Sequence, residues 1–331
     1  MIGHARPRFD EEGIIRTIWT TLSNRKHAGS PRDPFNDDVS WIRTTGRSKK
    51  YLVAKCDMLV SSTDVPRRMS PAQIGMKAIT STVSDFAAKG VLPRFCLVSI
   101  ALPKRSANPR FVQSLSRGLR QASRDYGLRI LAGDTNASRS DIILDCAAFG
   151  YANKIVKRSG AKIGDIVGVS GEFGLQPAGL LILKGIEGAP THSSRFLRKA
   201  VGSVLRPRAR IDVGPRISKH LTASIDSSDG LAISLYHLAE ASQVDIVLDK
   251  VPIAEGVAEF ASRVGRNASD LALFGGEEYE IVCTYDKSKA PILRRHGIIA
   301  IGMVERKMME GGAPRVTLDG AVVRRRGWTH F

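Results

Sequence analysis

The chain has 331 residues, which is enough for about two average domains, and 43% of them are hydrophobic and 25% charged. These values are typical of a globular protein with a substantial core, and they exclude disordered and low-complexity classes. No run of about 18 consecutive apolar residues occurs, so no transmembrane helix is predicted. The N-terminal stretch MIGHARPRFDEEG lacks the apolar region of a secretory signal.

Charge is the unusual feature of the composition. Fifty Lys and Arg residues against 32 Asp and Glu residues give a formal net charge of +18. Such a field attracts polyanions, either nucleic acid or phosphorylated small molecules, but it is equally compatible with a surface adapted to the host cytoplasm. The basic residues are spread along the chain, and the aromatic residues, 6% of the total, do not alternate with basic clusters. Nucleic-acid binding is therefore not expected.

The cysteines indicate the compartment. The chain has 4 of them, far apart and without a C-x-x-C pair: Cys56, Cys96, Cys146 and Cys283. This spacing predicts reduced thiols in a cytoplasmic protein rather than a disulfide framework or a zinc site.

Hydrophobic periodicity and turn residues predict the elements of the first half. Ser70 is expected to cap a helix with Pro71 in its first turn, and Gly90 to end it. On that helix Ile79, Val83, Phe86 and Ala87 form one apolar stripe, with Asp85 outside it. The other predictions are an amphipathic helix within 1–30, a strand at 51–60 with a polar turn at 61–64, a strand at 95–102, a helix at 111–126, a strand at 129–131 stopped by Gly133, and a strand at 142–151.

In the second half the same signals continue. They predict a basic linker at 152–162, a strand at 165–170, a helix at 177–184, a surface loop at 185–194, a helix at 228–241, and strands at 245–248, 280–284 and 298–303. This succession predicts the α+β class (mixed α/β) in two domains, 1–151 and 152–331, without internal repeats.

Several aspartates stand in small-residue turns near predicted strands: Asp37, Asp38, Asp57, Asp85, Asp134, Asp226 and Asp229. Asp57 is expected to close its strand. Each aspartate alone could cap a helix or bend a turn. Together, without His or Cys partners, they form the oxygen-rich ligand set that Mg²⁺ prefers, and Mg²⁺ commonly completes its shell with phosphate oxygens.

Common catalytic motifs are absent from the sequence. There is no G-x-S-x-G, no H-E-x-x-H and no Walker A loop. The Gly-rich segment G-G-E-E-Y-E at 275–280 is too short to cradle a phosphate, and it predicts a turn that enters a strand.

A set of motifs nevertheless carries a family resemblance. They are N-D-D at 36–38, C-D-M-L-V at 56–60, V-S-D-F-A-A-K-G at 83–90, A-G-D-T at 132–135, R-S-G-A-K-I-G-D at 158–165, S-I-D-S-S-D-G-L at 224–231, G-G-E-E-Y-E at 275–280 and G-W-T-H-F at 327–331. In this order they resemble the thiamine-monophosphate kinases, a family related to aminoimidazole-ribonucleotide synthetase, selenophosphate synthetase and a hydrogenase-maturation protein. S-T-D-V-P at 62–66 resembles the archaeal branch.

The resemblance implies ATP-dependent phosphorylation of thiamine phosphate to thiamine diphosphate at a cluster of Mg²⁺ ions. It also implies an N-terminal domain with a mixed sheet that binds metal and ATP and pairs in a homodimer, and a C-terminal α/β domain that completes the site. Carried over by motif, the metal ligands would be Asp38, Asp57, Asp85, Asp134 and Asp226, with Asp229 on a further ion. The ATP contacts would be Gly133, Asp134, Arg158 and Ser228, and the thiamine contacts Glu277 and Trp328.

The implied chemistry needs no general base. The nucleophile is a phosphate oxygen that is already ionised at neutral pH, so catalysis consists of aligning two anions and neutralising their charge. Metal ions and the planar guanidinium of Arg158 suit that task. Trp328 could stack on the cationic thiazolium, or it could be a core or dimer contact.

Two positions depart from the family pattern. Many members carry two hydroxyl residues where this chain has Lys55 and Cys56. A metal could be missing here, or its coordination could be replaced by water or by the charge of Lys55, and Cys56 becomes a candidate ligand. Asp64 stands where bacterial members place a substrate-contacting His. It could accept a hydrogen bond from the substrate or cap the turn before Pro66.

Other functions stay open at the level of sequence. One is another ATP-dependent reaction of the superfamily, of the hydrogenase-maturation or aminoimidazole-ribonucleotide synthetase type. The hydrogenase-maturation branch should lack the terminal G-W-T-H-F, and residues 29–38 lack the reactive cysteine of selenophosphate synthetase. A different class is a catalytically lapsed polyanion-binding protein, which the charge of +18 and Lys55-Cys56 would suit.

Overall fold

In the computed structural model of the chain, the described residues are 11–23, 37–45, 50–186, 188, 195–308 and 311–328. The helices are α1 Glu11–Ser23, α2 Ser61–Asp64, α3 Pro71–Ala88, α4 Pro109–Asp125, α5 Leu175–Leu183, α6 Arg195–Leu205, α7 Gly214–Ile217, α8 Leu231–Ser242, α9 Val257–Arg263, α10 Ala268–Phe274 and α11 Ala290–Arg295. The strands are β1 Ser40–Arg43, β2 Tyr51–Val60, β3 Pro93–Pro103, β4 Arg129–Ala132, β5 Thr135–Ser138, β6 Ile143–Ala152, β7 Ile166–Val169, β8 Ala223–Asp226, β9 Asp245–Leu248, β10 Ile281–Tyr285, β11 Ile299–Glu305, β12 Val316–Leu318 and β13 Ala321–Val322.

The first half builds a six-stranded mixed sheet. Its order is β1-β2-β6-β3-β4, and β5 also pairs with β3. β2 runs antiparallel to β6 along its whole length, whereas β4 and β5 run parallel to β3. Helices α3 and α4 cover one face of this sheet, where Leu59, Ile79, Val98 and Leu144 pack into one core.

Helix α3 follows its sequence signals at both ends. The Ser70 hydroxyl accepts a hydrogen bond from the Gln73 N–H, and the Gln73 side chain accepts one from the Ser70 N–H, which makes a capping box. Pro71 occupies the first turn, and Gly90, with φ of +70°, ends the helix in a left-handed conformation. Both predictions are confirmed.

Helix α3 is buried over more of its surface than the apolar stripe in its sequence predicts. Thr82, Ser84 and Asp85 on its polar side are buried as well. The reason is that the second half of the chain packs on that side: the Ser84 hydroxyl donates to Asp226, and the Ser224 hydroxyl donates to the Ala88 carbonyl. Asp85 is thereby carried into an interior junction.

The second half builds a seven-stranded sheet in the order β13-β12-β9-β11-β7-β10-β8. Only the β9–β12 pair is parallel. Helix α8 packs on this sheet through Leu231, Leu235 and Leu238, which are fully buried. The mixed α/β class predicted from the sequence is confirmed.

The two halves share more than one contact region. Ala209, from the second half, is buried in the core of the first sheet, and its N–H donates to the hydroxyl of Tyr126. The fully buried Lys89, directly after α3, donates to the Ser224 carbonyl at 2.6 Å. The last strand of the first sheet, β6, ends at Ala152, and the first strand of the second sheet, β7, begins at Ile166.

Several short elements differ from the sequence prediction. The sequence prediction lacks helices α9, α10 and α11 and strands β1, β5, β12 and β13, because each is too short to show a clear period. It also lacks α6, which has 11 residues and directly follows the loop predicted at 185–194. Asp57 lies inside β2 rather than at its end, since β2 continues to Val60. Helix α8 begins at Leu231 instead of 228, because Gly230 has φ of +120° and the preceding residues form a turn. The loop predicted at 185–194 and most of 1–30 outside α1 lie largely beyond the described residues.

Membrane crossing was also tested against the structure. Within the part of the chain that the structure describes, no helix combines the length and the apolar character needed to cross a membrane.

Two helical glycines predict opposite effects of the same substitution. A Cβ on Gly118 of α4 would stand 1.8 Å from the Ala72 carbonyl oxygen of α3, whereas a Cβ on Gly202 of α6 would meet nothing within 4 Å. Gly118→Ala should destabilise the protein by about 1–3 kcal/mol, because the helices must separate. Gly202→Ala should stabilise it by up to about 1 kcal/mol through helix propensity. Urea unfolding of both variants checks this, and equal stabilities would contradict the close α3–α4 packing.

Candidate active site

Three buried carboxylates meet at the junction of the two halves. Asp38 precedes β1, Asp85 lies on α3, and Asp226 ends β8. One ligand oxygen from each lies within 4.8 Å of the others. The three residues of this carboxylate triad are far apart in sequence and are brought together only by the packing of α3 between the two sheets.

Lys55 connects a fourth carboxylate to the triad. Lys55 and Asp57 occupy alternate positions of β2 and therefore point to the same face, the one covered by α3. The Lys55 ammonium lies 3.0 Å from Asp85 Oδ2 and 3.3 Å from Asp57 Oδ1. Of the residues predicted to bind metal, Asp38, Asp57, Asp85 and Asp226 are thus brought to one region.

Asp38 is held in place by two cations. Lys89 Nζ lies 2.7 Å from Asp38 Oδ2 and 2.6 Å from Asp37 Oδ1. Arg158 Nε donates to Asp38 Oδ1 at 2.5 Å, and the Arg158 backbone N–H donates to Asp37 Oδ2 at 3.0 Å. Burial alone would raise the pKa of Asp38, but Arg158 and Lys89 outweigh it and lower the pKa to about 2.

The other two carboxylates of the triad are less compensated. Burial raises the pKa of Asp85 well above its ordinary value, and the attraction of Lys55 only partly offsets this. Burial and the charge of Asp38 raise the pKa of Asp226 to about 7, although the Ser84 hydroxyl donates to it at 2.8 Å. Both shifts mean that burial and neighbouring carboxylates disfavour the charged forms of Asp85 and Asp226 more than the nearby cations favour them.

A hard divalent cation fits this arrangement. The donor atoms are all carboxylate oxygens. Mg²⁺ prefers ligands of this type, whereas softer metals prefer nitrogen or sulfur ligands. Like charges at such short separation are costly in a buried place unless a cation lies between them. The residues that could hold it are Asp38, Asp85 and Asp226, with Asp57 beside them.

Gly133 and Asp134 lie outside the triad. They form the exposed turn between β4 and β5, where the Asp134 carbonyl accepts a hydrogen bond from the Ile100 N–H at 2.9 Å. A Cβ on Gly133 would come within 1.8 Å of the Val98 carbonyl oxygen, so the close approach of this turn to β3 requires glycine. The metal and ATP roles of both residues stay predictions.

Cys56 lies on the opposite face of β2 from Lys55 and Asp57. Cys56 is an exposed residue, and its thiol donates to Asp145 Oδ1 at 2.9 Å. Partial loss of water around the sulfur, together with the hydrogen bond and the charge of Asp145, raises the pKa of the thiol to about 12, which disfavours the thiolate that metal binding requires. The structure therefore does not bring Cys56 to the carboxylates.

A second group of predicted residues lies in three adjoining segments next to Asp226. The Glu277 N–H donates to the Ser228 carbonyl, and the Trp328 N–H donates to the Asp229 carbonyl at 2.9 Å. These backbone bonds bring together Ser228, Asp229, Glu277 and Trp328, which were predicted from three separate motifs.

Glu277 is held by a lysine that the sequence analysis did not single out. Lys77 of α3 is buried, forms an ion pair with the Glu277 carboxylate, and donates to the Asp64 carbonyl. Glu277 has φ of +64°, a left-handed conformation that non-glycine residues rarely adopt and that is concentrated at functional sites. Asp64 Oδ2 accepts from the Val60 N–H at 2.7 Å, so Asp64 caps its turn, the second of its two predicted roles.

The sequence contained a signal that could have identified these lysines. Lys77 within α3 and Lys89 directly after it are the basic residues of a helix rich in apolar and small residues, and a lysine must have a partner if it is buried. Since α3 is buried on both sides, these lysines pair with Glu277 and with Asp37 and Asp38.

Comparison with known proteins agrees with this geometry. Residues 36–152 match the family model described as AIR synthase related protein, N-terminal domain. The segment that carries Asp38, Asp57 and Asp85 is therefore similar to that class of domain.

The relatives define the family more narrowly. The thiamine-monophosphate kinase of Nitrosopumilus maritimus is 34% identical over 98% of this chain and 99% of its own, and that of Pyrococcus horikoshii is 37% identical over 85% and 84%. The solved structure of AaThiL complexed with AMPPCP and TMP is 31% identical, covers 100% of both chains and superposes with a TM-score of 0.85. The chain belongs to the thiamine-monophosphate kinase family and is an enzyme of that family, as its motifs predicted.

The raised pKa of Asp226 predicts that Mg²⁺ binding depends on pH. A carboxylate with a pKa of about 7 must lose its proton before it can bind a metal ion, so affinity should rise as the pH increases from 6 to 8. Below the pKa, the dissociation constant should rise by about tenfold per pH unit for one released proton. Calorimetric titration at three pH values measures this. Cys56→Ser, on the other face of β2, should keep the profile, and a pH-independent affinity would contradict it.

Proposed function

We propose that this protein transfers the γ-phosphoryl group of ATP to thiamine phosphate, giving ADP and thiamine diphosphate. The observation that carries the proposal is the buried triad Asp38, Asp85 and Asp226 at the junction of two domains, in a chain of this family. The structure of a relative with the same fold has been solved with AMPPCP and TMP. AMPPCP is an analogue of ATP, and the abbreviation TMP matches thiamine monophosphate.

The triad would hold Mg²⁺, with Asp57, Asp134 and Asp229 as further ligands. When bound, the metal would neutralise the phosphates of both substrates and hold them in line. The attacking phosphate oxygen is ionised at neutral pH, so this chain does not have to remove a proton from it. Arg158, which pairs with Asp38, would add a planar donor to the ATP phosphates.

The two substrates would be bound by different loops. Gly133, Asp134, Arg158 and Ser228 would contact ATP, as the motifs imply. Glu277, fixed by the buried Lys77, and Trp328, whose side chain is 44% exposed, would contact the thiamine moiety. A half-exposed indole can stack on a cationic ring, an interaction worth about 0.5–2 kcal/mol.

In this assignment each of the two domains contributes residues to the site. We propose residues 1–151 as the domain that binds metal and ATP and dimerises, and residues 152–331 as the domain that completes the site. Asp38 and Asp85 come from the first, and Asp226 and Glu277 from the second. We place the enzyme in the cytoplasm, which agrees with its four free cysteines.

The reaction is tested by incubating the protein with ATP, Mg²⁺ and thiamine phosphate and separating the products by chromatography. Asp85→Asn and Asp134→Asn should each lower turnover by at least about a hundredfold without unfolding the chain, because each removes a metal ligand. Asp125→Asn, an exposed aspartate at the end of α4, is the matched control and should retain activity.

The outcomes separate the alternatives. Full activity in both ligand variants would contradict the metal-cluster mechanism. ATP consumption without thiamine diphosphate would indicate another reaction of the superfamily. No nucleotide chemistry, together with steeply salt-dependent binding to nucleic acid, would favour the lapsed polyanion-binding protein.

We also propose that the enzyme is a homodimer formed by the uncovered face of the first sheet. Strand register places Ile42, Met58, Leu97 and Tyr151 on the face opposite α3. They are 66%, 65%, 38% and 50% exposed, which is unusual for one contiguous set of large apolar side chains. A second copy of the same sheet face would cover them symmetrically.

Charge on this face should separate the copies. The double substitution Met58→Glu and Tyr151→Glu should convert the dimer to a monomer, because two copies would bury unpaired carboxylates. Met308→Glu is the control, since Met308 is 77% exposed and lies outside this sheet. Light scattering after gel filtration measures the mass, and a monomeric unsubstituted protein would refute the proposal.

A further inference from the structure

Lys55 occupies the space between two of the carboxylates assigned to metal. Its ammonium nitrogen lies 3.0 Å from Asp85 Oδ2 and 3.3 Å from Asp57 Oδ1. The fold fixes the position of Lys55. It is paired with Ala148 of β6, and the pairing of β2 with β6 continues before and after it. The face of β2 that carries Lys55 is covered by α3. The Lys55 side chain is 25% exposed and that of Asp85 is 9% exposed, so the contact is partly shielded from water.

The geometry is that of a bridging cation. An ion joining Asp57 and Asp85 would have to bind one oxygen of each, at about 2.0–2.1 Å for Mg²⁺. The ammonium of Lys55 already contacts one oxygen of each, as a compact point charge with three donors. An ion and the ammonium cannot occupy this place together, since they would overlap and repel one another.

Asp85 shows how the space is divided. It belongs to the triad with Asp38 and Asp226, whose oxygens lie within 4.8 Å of one another, and it also contacts Lys55. The Asp85 carboxylate is thus shared between a resident cation, the Lys55 ammonium, and the two acidic partners of the triad.

We propose that the ammonium of Lys55 permanently takes the place of one divalent cation between Asp57 and Asp85, so that divalent ions bind only on the side of Asp38 and Asp226. The inference rests on the proposed function only in treating the triad as the metal centre. It makes Lys55 a positioning residue, which orients two carboxylates before any ion binds, and it lowers the number of ions that the cluster takes.

Counting bound ions tests this without reference to turnover. The probe is Mn²⁺ alone, added to the full chain and counted by electron paramagnetic resonance. Lys55→Ser removes the ammonium and offers a hydroxyl ligand, and it should bind one more Mn²⁺ per chain than the unsubstituted protein. Lys55→Met removes the charge but fills the space, and it should gain no ion. Lys154→Ser, an exposed lysine outside the cluster, is the matched control and should change nothing.

The same variants predict a change in metal-free stability. Without its resident cation, the cluster is left with uncompensated carboxylates, so Lys55→Ser and Lys55→Met should both melt at least about 5 °C lower in EDTA. Mn²⁺ should restore more of this loss in Lys55→Ser than in Lys55→Met. Equal ion counts in Lys55→Ser and the unsubstituted protein would overturn the proposal.

A measurement on the unsubstituted protein covers the case in which Lys55→Ser does not fold. Acetic anhydride labelling, read by mass spectrometry, reports the accessibility of each lysine with and without saturating Mg²⁺. If Lys55 keeps its place, its labelling rate stays low and unchanged by Mg²⁺, while Lys154 labels rapidly in both conditions. A rise in Lys55 labelling on adding Mg²⁺ would mean that the metal displaces it, and that result refutes the proposal.

These readouts separate the two proposals. An extra ion in Lys55→Ser together with no conversion of thiamine phosphate would leave the role of Lys55 intact and remove the proposed reaction. Conversion of thiamine phosphate with no change in ion count would do the opposite.

Discussion

The structure depends on burying carboxylates at the junction between two domains, where each must find positive charge. A buried, unpaired carboxylate is among the most destabilising groups that a fold can contain, because water is lost and nothing replaces it. Asp38 meets this constraint fully, since Lys89 and Arg158 lie against it and lower its pKa to about 2. Asp85 and Asp226 meet it only in part, and burial raises the pKa of both. The triad is therefore the place where the fold leaves its buried carboxylates least compensated, and it is the place where we propose that a cation binds.

Helix α3 is the element through which this constraint reaches the rest of the molecule. Its apolar residues cover the first sheet, while its polar residues face the second domain. Asp85 belongs to the triad, Ser84 donates to Asp226, Lys77 pairs with Glu277, and Lys89, the residue after the helix, pairs with Asp38. One buried helix thus fixes the carboxylates of the proposed metal centre relative to the loop proposed to bind the second substrate. The opposite face of the sheet has no such cover in the described chain, and this asymmetry separates the face that carries the triad from the face proposed to join two copies.

Local features of the chain were readable where a local cause produced them. The Ser70 cap and the strands at 51–60 and 245–248 agree with the structure residue by residue, because side-chain capping and strand patterning act over a few positions. The prediction that Asp57 closes its strand was wrong, because β2 continues to Val60. A charged residue within a strand resembles the start of a turn when its ion-pair partner, here Lys55, is not known from the sequence. The short helices α9 and α10 were missed, since two turns of helix show no resolvable period and owe their stability to tertiary packing.

The sequence by itself determined the family, through motifs in a fixed order, and it supplied the aspartates on which the proposed metal chemistry rests. Only the tertiary structure decided which aspartates meet. Ser84 and Asp226, 142 positions apart, are joined by a hydrogen bond, while Asp134 lies in a separate exposed turn. It also decided that Lys55 faces the carboxylates and Cys56 faces away. The physical reason is that a strand gives its side chains two alternating faces, and which face becomes the site is set by the distant segments that pack on it.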